Sequence, residues 1–325
     1  MHKAIQFDQA GGPEVMVCRE VPVEAPSHGT AQVRIDFAGV NFIDTYHRSG
    51  LYPAPTPFTL GVEGAGVIEQ LGPDTPPGLE VGDRVGWTMI PGSYAELCNI
   101  PATQLIPIPE TLSTELAAAS LLQGMTAHYL THGVRDAKPG ETALVHAAAG
   151  GTGGLLVQLL KQAGLMVIGT CGTQEKAELA RASGADEVIL YSEEDFQART
   201  LQITEGAGVD VVYDSVGQST FEKSLTSLRP RGLLCLFGQA SGPVPPFDLG
   251  RLGGLGSLFV TRPTLGHFIQ DPEELALRAG AVFDGLARGA LKQRVHARYA
   301  LEDAAQAHRD LEGRGTKGKL LLECR

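Results

Sequence analysis

The chain has 325 residues, of which 43% are hydrophobic and 19% charged, the balance of an ordinary globular protein long enough for two domains. Its formal net charge of −11 argues against nucleic acid as the main partner. No apolar run approaches the roughly 18 residues of a membrane span, and the N-terminal residues lack the apolar core of a signal peptide.

The number and spacing of the cysteines indicate the cellular compartment. There are five, an odd number, and they are widely scattered: Cys18, Cys98, Cys171, Cys235 and Cys324. This pattern is typical of buried thiols and not of a disulfide framework. We therefore expect a cytoplasmic protein.

The N-terminal third is rich in glycine, proline and short β-like runs, such as residues 31–37, 66–71 and 83–87. Such runs between turns predict a compact, strongly bent β domain. A helix is predicted from Ser113 to about His132, with Ser113 as its cap.

Strands and helices then alternate. Predicted strands cover residues 142–145, 167–170, 187–191, 209–214 and 233–237, and predicted helices cover 155–161, 174–182, 193–204 and 220–228. Helical crossovers between apolar strands indicate an α/β fold with a doubly wound parallel sheet. A sixth strand is predicted at 256–261, followed by helices at 272–288 and 301–312 and a last strand at 319–323.

A glycine-rich loop joins the first strand of this alternating region to its helix. It contains Gly150, Gly151, Thr152 and Gly153. Glycine lets the main chain approach a pyrophosphate closely, and the helix N-terminus offers free N–H groups to its charge. The alternative is a plain turn, but the flanking strand and helix favour dinucleotide binding.

The end of the next strand indicates which dinucleotide. NAD-binding folds carry an acidic residue about 20 residues beyond the loop, on the adenosine ribose. Here Gly172 and Thr173 stand at that strand end, and Lys176 follows. A missing carboxylate and a nearby ammonium suit a 2′-phosphate, so we expect NADPH. The alternative is that Lys176 is only a solvated residue in the first helical turn.

Two tyrosines lie among turn residues near Asn41. Tyr46 and Tyr52 each offer a hydroxyl on an apolar ring, which suits a planar substrate or a carbonyl. Packing of both rings under a loop is an equally good interpretation from the residues alone.

Taken together, the motifs resemble those of the medium-chain dehydrogenase/reductase superfamily, in particular its zinc-independent quinone oxidoreductases related to zeta-crystallin. The motifs include residues 11–15, 39–46, 61–67, 81–85, 146–151, 213–217 and 261–263, and further matches lie between 307 and 319. The resemblance implies a β-rich GroES-like catalytic domain at 1–124, a Rossmann NADPH-binding domain at 125–262 and a return to the catalytic domain at 263–325. Thr152 departs from the valine that is usual in this branch.

Zinc-dependent relatives carry a cysteine at the position of Asn41 and a histidine at that of Val62, and often a lobe of four cysteines that is absent here. Zinc needs several thiolate, imidazole or carboxylate ligands around one point. We therefore expect no metal.

The resemblance implies hydride transfer from NADPH to a quinone or another conjugated carbonyl. It places Asn41 and Tyr46 around the acceptor and the nicotinamide, with Tyr52 and Arg262 at the mouth of the site. The other residues that it places along the cofactor are Thr126, Tyr191, Ser215, Phe237, Gly238, Thr261 and Lys317. No strong proton donor is evident, and a reduced quinone can take its proton from solvent.

Two other functions are compatible with these motifs. A reductase of enones or enoyl thioesters would share the fold and the cofactor, although no basic cluster for coenzyme A is visible between Tyr46 and Pro55. The other is a non-catalytic protein that binds NADPH or serves structurally as a crystallin does. Some proteins of this kind are thought to bind RNA, and the acidic net charge argues against that role here.

The sixth strand of the predicted sheet suggests how the protein assembles. It has no later strand to pair with, and it carries Leu258, Phe259 and Val260. Unpaired edges are usually covered, so we expect a homodimer in which strand 256–261 pairs with its copy about a two-fold axis. The alternative is a monomer whose C-terminal helices cover the edge.

Overall fold

The computed structural model describes residues 1–325, which form two compact units. The first unit is Met1–Met125 with Ile269–Arg325, and the second is Thr126–Phe268. The limits expected for the domains, 124/125 and 262/263, stay a prediction.

Most of the first unit is made of short strands. Its N-terminal part contains β1 His2–Phe7, β2 Val17–Val21, β3 Thr30–Val40, α1 Phe42–Arg48, β4 Phe58–Thr59, β5 Glu63–Leu71, β6 Arg84–Thr88, β7 Leu97–Pro101 and β8 Ile106–Pro107. Helix α2 follows at Thr114–His132, and the hydroxyl of Ser113 accepts the Leu116 N–H at 3.1 Å, so the predicted cap is confirmed.

The second unit contains the regular alternation: β9 Thr142–Val145, α3 Gly151–Gln162, β10 Met166–Cys171, α4 Gln174–Ala182, β11 Glu187–Leu190, α5 Phe196–Ile203, β12 Val209–Asp214, α6 Phe221–Thr226, β13 Leu228–Leu236, α7 Gly250–Gly254 and β14 Phe259–Thr261. The chain then returns to the first unit with α8 Pro272–Ala287, β15 Val295–Ala300, α9 Ala304–Glu312 and β16 Lys319–Glu323.

The sheet of the second unit has six parallel strands in the order β11-β10-β9-β12-β13-β14. From β9 the chain adds β10 and β11 on one side, and it then returns to add β12, β13 and β14 on the other side of β9. This doubly wound order is the Rossmann topology, so the predicted fold class is confirmed.

The first unit holds a three-stranded sheet, β2-β1-β4, and a seven-stranded mixed sheet, β15-β16-β3-β5-β6-β8 with β7 paired to β3. Strand β15 was not predicted. It pairs only with β16, and its residues are alternately half-buried and exposed, so it lacks the apolar run that marks a core strand. None of the helices combines the length and the apolar character that a membrane span needs.

Several predicted limits need correction. Helix α3 begins at Gly151 and not at 155, helix α9 begins at Ala304 and not at 301, and strand β13 begins at Leu228, where a helix was predicted to end.

Two further limits have a local cause. Helix α5 begins at Phe196 and not at 193, because the side chain of Asp195 accepts the N–H groups of Gln197 and Ala198 and so starts the helix there. The sixth strand is limited to Phe259–Thr261, because Gly256 and Ser257 have φ values of +110° and +56° and cannot continue an extended strand.

Candidate functional site

The loop between β9 and α3 is shaped to receive an anion. Ala147 has φ +52°, the Gly150 N–H donates to the Ala147 carbonyl at 2.9 Å, and α3 starts directly after Gly150. No side chain caps this helix. The first N–H groups of a helix have no partner within it, so those of Gly151, Thr152 and Gly153 are available to a phosphate.

Close packing requires glycine at one position of this loop. A Cβ on Gly153 would lie 2.3 Å from the Ala147 carbonyl oxygen, a contact that the rigid backbone cannot relieve. At Gly154 the nearest atom would be the Ser183 hydroxyl at 3.6 Å, an ordinary contact. Gly153 therefore lets helix α3 approach the loop, as dinucleotide-binding folds require.

The other residues predicted for the cofactor in this unit, apart from Thr126, follow the carboxyl ends of the parallel strands. Because the strands are parallel, these ends meet at one edge of the sheet. The residues there are Gly172, Thr173 and Lys176 after β10, Tyr191 after β11, Ser215 after β12, Phe237 and Gly238 after β13, and Thr261 at the end of β14. Strand order reverses between β9 and β12, and ligands of open α/β sheets bind in the crevice at such a point. Thr126 is buried in α2.

Polar side chains lie close together at the end of β10. Thr173 caps α4 by accepting the Lys176 N–H at 3.3 Å, which places Lys176 in the first helical turn. The Tyr191 hydroxyl stands beside Gly172, where a Cβ would lie 2.6 Å from it. No carboxylate ends the strand, although Glu175 lies in the same first turn as Lys176.

A buried carboxylate organises the loop after β12. Oxygen Oδ1 of Asp214 accepts the N–H groups of Val216 and Gly217 at 2.7 and 3.0 Å, and Oδ2 accepts the Thr220 hydroxyl at 2.7 Å. Ser215 is thereby held against Gly238, where a Cβ would meet the Ser215 carbonyl oxygen at 2.6 Å. The structure thus brings two of the predicted cofactor residues together.

His146 lies beneath this edge and was not singled out from the sequence. Its ring nitrogens lie 3.0 Å from the Thr170 hydroxyl and 2.9 Å from that of Ser224, which also donates to Asp214. Burial lowers the pKa of His146. Serine, histidine and aspartate meet here as in some hydrolases, but all three are buried, so the group is a structural network that joins β9, β10 and α6.

In the first unit, Asn41 stands at the start of α1 and is almost fully buried. Its Nδ2 group donates to Glu63 Oε2 at 2.8 Å and to the Gly39 carbonyl at 3.1 Å, while its Oδ1 accepts from Lys319 Nζ at 2.6 Å. Both amide hydrogens of Asn41 are therefore used inside the protein.

Tyr46 and Tyr52 lie together. Their rings meet edge-on with centroids 5.3 Å apart, and the Tyr52 N–H donates to the Tyr46 carbonyl at 3.0 Å. Both side chains are half-buried, and Lys317 of the same unit is half-buried just before β16. Arg262, which was predicted to line the same mouth, belongs to the second unit and is exposed.

Comparison with known proteins identifies the family. Residues 27–110 match the alcohol dehydrogenase GroES-like domain, and residues 151–279 match the zinc-binding dehydrogenase domain. The chain is 46% identical to a quinone oxidoreductase of Pseudomonas aeruginosa over 99% of both chains. It belongs to the quinone oxidoreductase branch of the medium-chain dehydrogenase/reductase superfamily.

Two further relatives extend the comparison. The crystal structure of Escherichia coli quinone oxidoreductase complexed with NADPH superposes with a TM-score of 0.96 at 43% identity and covers 99% of each chain. A 2-haloacrylate reductase of a Burkholderia species is 41% identical over 99% of both chains. This branch therefore includes members that are named for different acceptors.

The name of the second matched domain implies zinc, but the residues of this quinone oxidoreductase family member do not fit the metal. The ammonium of Lys319 is bonded to Asn41 and lies 2.5 Å from Glu63, and all three side chains are buried. That cation already balances the only carboxylate of the group, and the neighbouring Val62 offers no ligand atom. No group of three or more His, Cys, Asp or Glu side chains could hold a metal ion.

Asn41, Glu63 and Lys319 all lie within the motifs quoted from the sequence, but nothing in those motifs indicated that the three side chains bond to one another. Glu63 and Lys319 are 256 residues apart, and Asn41 and Lys319 are 278 apart. Lys319 follows a glycine and precedes three leucines, a pattern that indicates an ordinary strand start. Its full burial was not expected, because lysine is almost never buried unless it is paired.

Proposed function

We propose that this protein oxidises NADPH and reduces a quinone. The single observation that supports this most is the uncapped, glycine-lined start of α3, at the edge where the strand order reverses, in a chain 46% identical to a quinone oxidoreductase along its full length. NADPH, when bound, supplies the hydride. The chain must hold it, orient the acceptor and exclude water.

For the cofactor, we propose that the loop at Gly150 receives the pyrophosphate and that the N–H groups of Gly151, Thr152 and Gly153 bind it. Lys176 would pair with the 2′-phosphate, since a charge-assisted bond to phosphate is stronger than a neutral one. Tyr191, which is 55% exposed beside Gly172, has a free face for the adenosine. The remaining contacts come from Thr126, Ser215, Phe237, Gly238, Thr261 and Lys317.

For the acceptor, we propose that Tyr46 and Tyr52 provide the planar apolar surface and the hydroxyl donors, with Arg262 at the mouth. Asn41 would act by positioning and not as a hydrogen-bond donor to the acceptor, because both hydrogens of its amide are engaged within the protein. It holds the start of α1, the helix that carries Tyr46. A proton from solvent completes the reduction.

The direct test is loss of NADPH absorbance with 1,4-benzoquinone, 9,10-phenanthrenequinone and 2-cyclohexenone as separate acceptors. We expect turnover with the quinones at a kcat/KM at least tenfold above that for cyclohexenone, a difference of about 1.4 kcal/mol in transition-state binding. Absence of turnover with every acceptor, in protein that binds NADPH, would favour the non-catalytic alternative.

A second candidate acceptor class is an activated double bond. The observation that favours it is the full-length similarity to a 2-haloacrylate reductase. The same screen with 2-chloroacrylate added decides between the two: faster turnover of chloroacrylate or cyclohexenone than of any quinone would identify a double-bond reductase.

We also propose a homodimer that forms through β14. This strand is the edge of its sheet, and Phe259 and Val260 are 61% and 37% exposed on it. Leu258 does not contribute to the exposed edge as expected, because it is buried in the core. Pairing with a second β14 would satisfy the open N–H and C=O groups.

Light scattering at micromolar concentration tests this proposal. We expect about twice the chain mass of 34.3 kDa for the wild type, and monomers or unfolded chains for Phe259→Pro, which removes a donor from the edge. A wild-type mass of one chain would contradict it. A cytoplasmic location, supported by the five free cysteines, is tested by cell fractionation.

A further inference from the structure

Helix α1 is only seven residues long, yet it carries two buried charged side chains. Asp44 has no exposed surface and Arg48 is 3% exposed. Buried charges are costly unless they are paired and hydrogen-bonded. The partners of these two residues therefore determine where the helix lies.

Asp44 is bonded at one oxygen. Its Oδ2 accepts the Asn41 backbone N–H at 2.8 Å, which closes the first turn of α1, and the Tyr94 hydroxyl at 3.0 Å. Tyr94 is itself fully buried, and it stands between β6 and β7. The start of α1 is thus tied to an aromatic ring in the core of the first unit.

Arg48 is bonded at the C-terminal end of α1. Its guanidinium makes two bonds to the Glu312 carboxylate, at 2.8 and 3.1 Å, and its Nε donates to the Gly11 carbonyl at 3.2 Å. A bidentate pair of this kind fixes orientation as well as distance. The end of α1 is therefore tied to the last residue of α9.

His308 joins the two ends. Arginine can only donate, so Nδ1 of His308, 3.1 Å from Arg48, accepts. The proton of the neutral ring is then on Nε2, which donates to the Tyr94 oxygen at 3.1 Å, and Tyr94 donates onward to Asp44. Burial lowers the pKa of His308 to about 3, which keeps the ring neutral. The bonds form a closed one-way path from Arg48 back to Asp44 on the same helix.

We call Asp44, Arg48, Tyr94, His308 and Glu312 the α1 clamp. Tyr46, which we place at the acceptor, lies between the two anchored residues of the helix. Any slip of α1 would move the Tyr46 ring relative to Tyr52, with which it now makes an edge-on contact at 5.3 Å. A misplacement of about 1 Å at a reacting site can lower the rate a hundredfold.

We propose that the α1 clamp is a positioning device that fixes Tyr46 for the acceptor, and that Tyr94 and His308 are positioning residues of the reaction. The inference depends on the proposed role of Tyr46. The clamp draws its rigidity from the C-terminal segment, since α9 supplies His308 and Glu312. Other charged groups that act on Asp44 are Glu63 on β5 and Lys319 on β16.

Tyr94→Phe tests the clamp, because it removes only the hydroxyl that joins His308 to Asp44. The matched control is Tyr299→Phe, which removes a tyrosine–aspartate bond of 2.6 Å to Asp310 on α9 without touching α1. We expect kcat/KM for the quinone to fall about tenfold in Tyr94→Phe and to stay unchanged in Tyr299→Phe. Affinity for 2′,5′-ADP should stay unchanged in both, since its proposed contacts are in the second unit.

The pH profile provides a readout that a purely structural role would not move. The Tyr94 hydroxyl lowers the pKa of Asp44, so its loss should shift an inflection of quinone kcat/KM to higher pH in Tyr94→Phe alone. Equal kinetic constants and pH profiles in the two phenylalanine variants, with an active wild type, would overturn the clamp. An inactive wild type would instead overturn the proposed function.

A second pair of variants serves if Tyr94→Phe does not fold. Glu312→Gln weakens the charged bond to Arg48 at the partly exposed end of the clamp, and Glu302→Gln breaks a surface pair with Lys3 in the same unit. We expect a twofold to threefold loss of quinone kcat/KM in Glu312→Gln only, roughly the value of one partly exposed ion pair. Equal values in both variants would overturn the clamp.

Discussion

The substitution Asp44→Asn probes the most perturbed carboxyl group of the molecule. Burial raises the pKa of Asp44 to about 7, although bonds from Asn41 and Tyr94 oppose that shift. Asparagine can keep accepting both hydrogen bonds through its carbonyl oxygen. Its amide nitrogen would replace Oδ1, a buried oxygen that has no hydrogen-bond partner. The variant therefore removes the charge with little change of shape.

The sign of the effect follows from which state holds the proton. Because the folded pKa is raised, the folded protein binds a proton that the unfolded chain, with a pKa of about 3.9, has released. Stability from this group is present below about pH 4 and is lost as the pH rises to about 7. The difference of about three pKa units corresponds to roughly 4 kcal/mol of unfolding free energy.

His308 acts in the opposite direction. Its pKa is lowered to about 3 by burial, so its contribution is present above the unfolded value of about 6.5 and is lost as the pH falls. Between about pH 4 and 6.5 the stability from Asp44 falls with pH while that from His308 rises, so the pH dependences of the two contributions cancel in the wild type. A flat wild-type profile would therefore hide both of them, and only the difference between variant and wild type isolates Asp44.

The assay is urea unfolding of both proteins near pH 4.5, 5.5 and 6.5, with the free energy of the wild type subtracted from that of Asp44→Asn. We expect the difference to grow in favour of the variant by about 1.4 kcal/mol per pH unit. Glu302→Gln is a control whose difference from the wild type should stay nearly constant over this range, because the bond from Lys3 lowers the pKa of Glu302 from 4.5 and its titration therefore lies below the assay range. A difference that does not change with pH would refute the assignment of a buried, high-pKa carboxyl group.

Other measurements test the cofactor end and the metal. Lys176→Ala should weaken NADPH binding at least tenfold, about 1.5–3 kcal/mol for a charge-assisted bond, and leave NADH nearly unchanged; equal losses in titration would exclude a phosphate contact. Gly153→Ala should lower stability by about 1–3 kcal/mol and weaken NADPH binding, because its Cβ would meet the Ala147 oxygen. Gly154→Ala is the matched control and should be neutral or gain up to about 1 kcal/mol from helix propensity. Activity should survive exhaustive chelation, and one tightly held zinc per chain whose removal abolishes activity would disprove metal independence.

The sequence by itself determined the parts of the molecule whose signals are local. Helix α4, strand β12 and strand β16 have the predicted limits, because an apolar run or a cap defines each within a few residues. The alternation of strands and helices also determined the Rossmann sheet, since right-handed helical crossovers leave few arrangements. Once the sheet is parallel, residues that follow its strands are placed at one edge, and most of the predicted cofactor residues needed no other information.

Only the tertiary structure decided which buried polar groups bond to each other. Arg48 and Glu312 are 264 residues apart, Tyr94 and His308 are 214 apart, and Lys319 and Glu63 are 256 apart. No periodicity or spacing links such residues, because their partners are chosen by the desolvation cost of charges that the fold has already buried. The same limitation applies to Asn41: the motifs placed it around the acceptor and the nicotinamide, and only the structure shows that Glu63 and the Gly39 carbonyl engage both hydrogens of its amide.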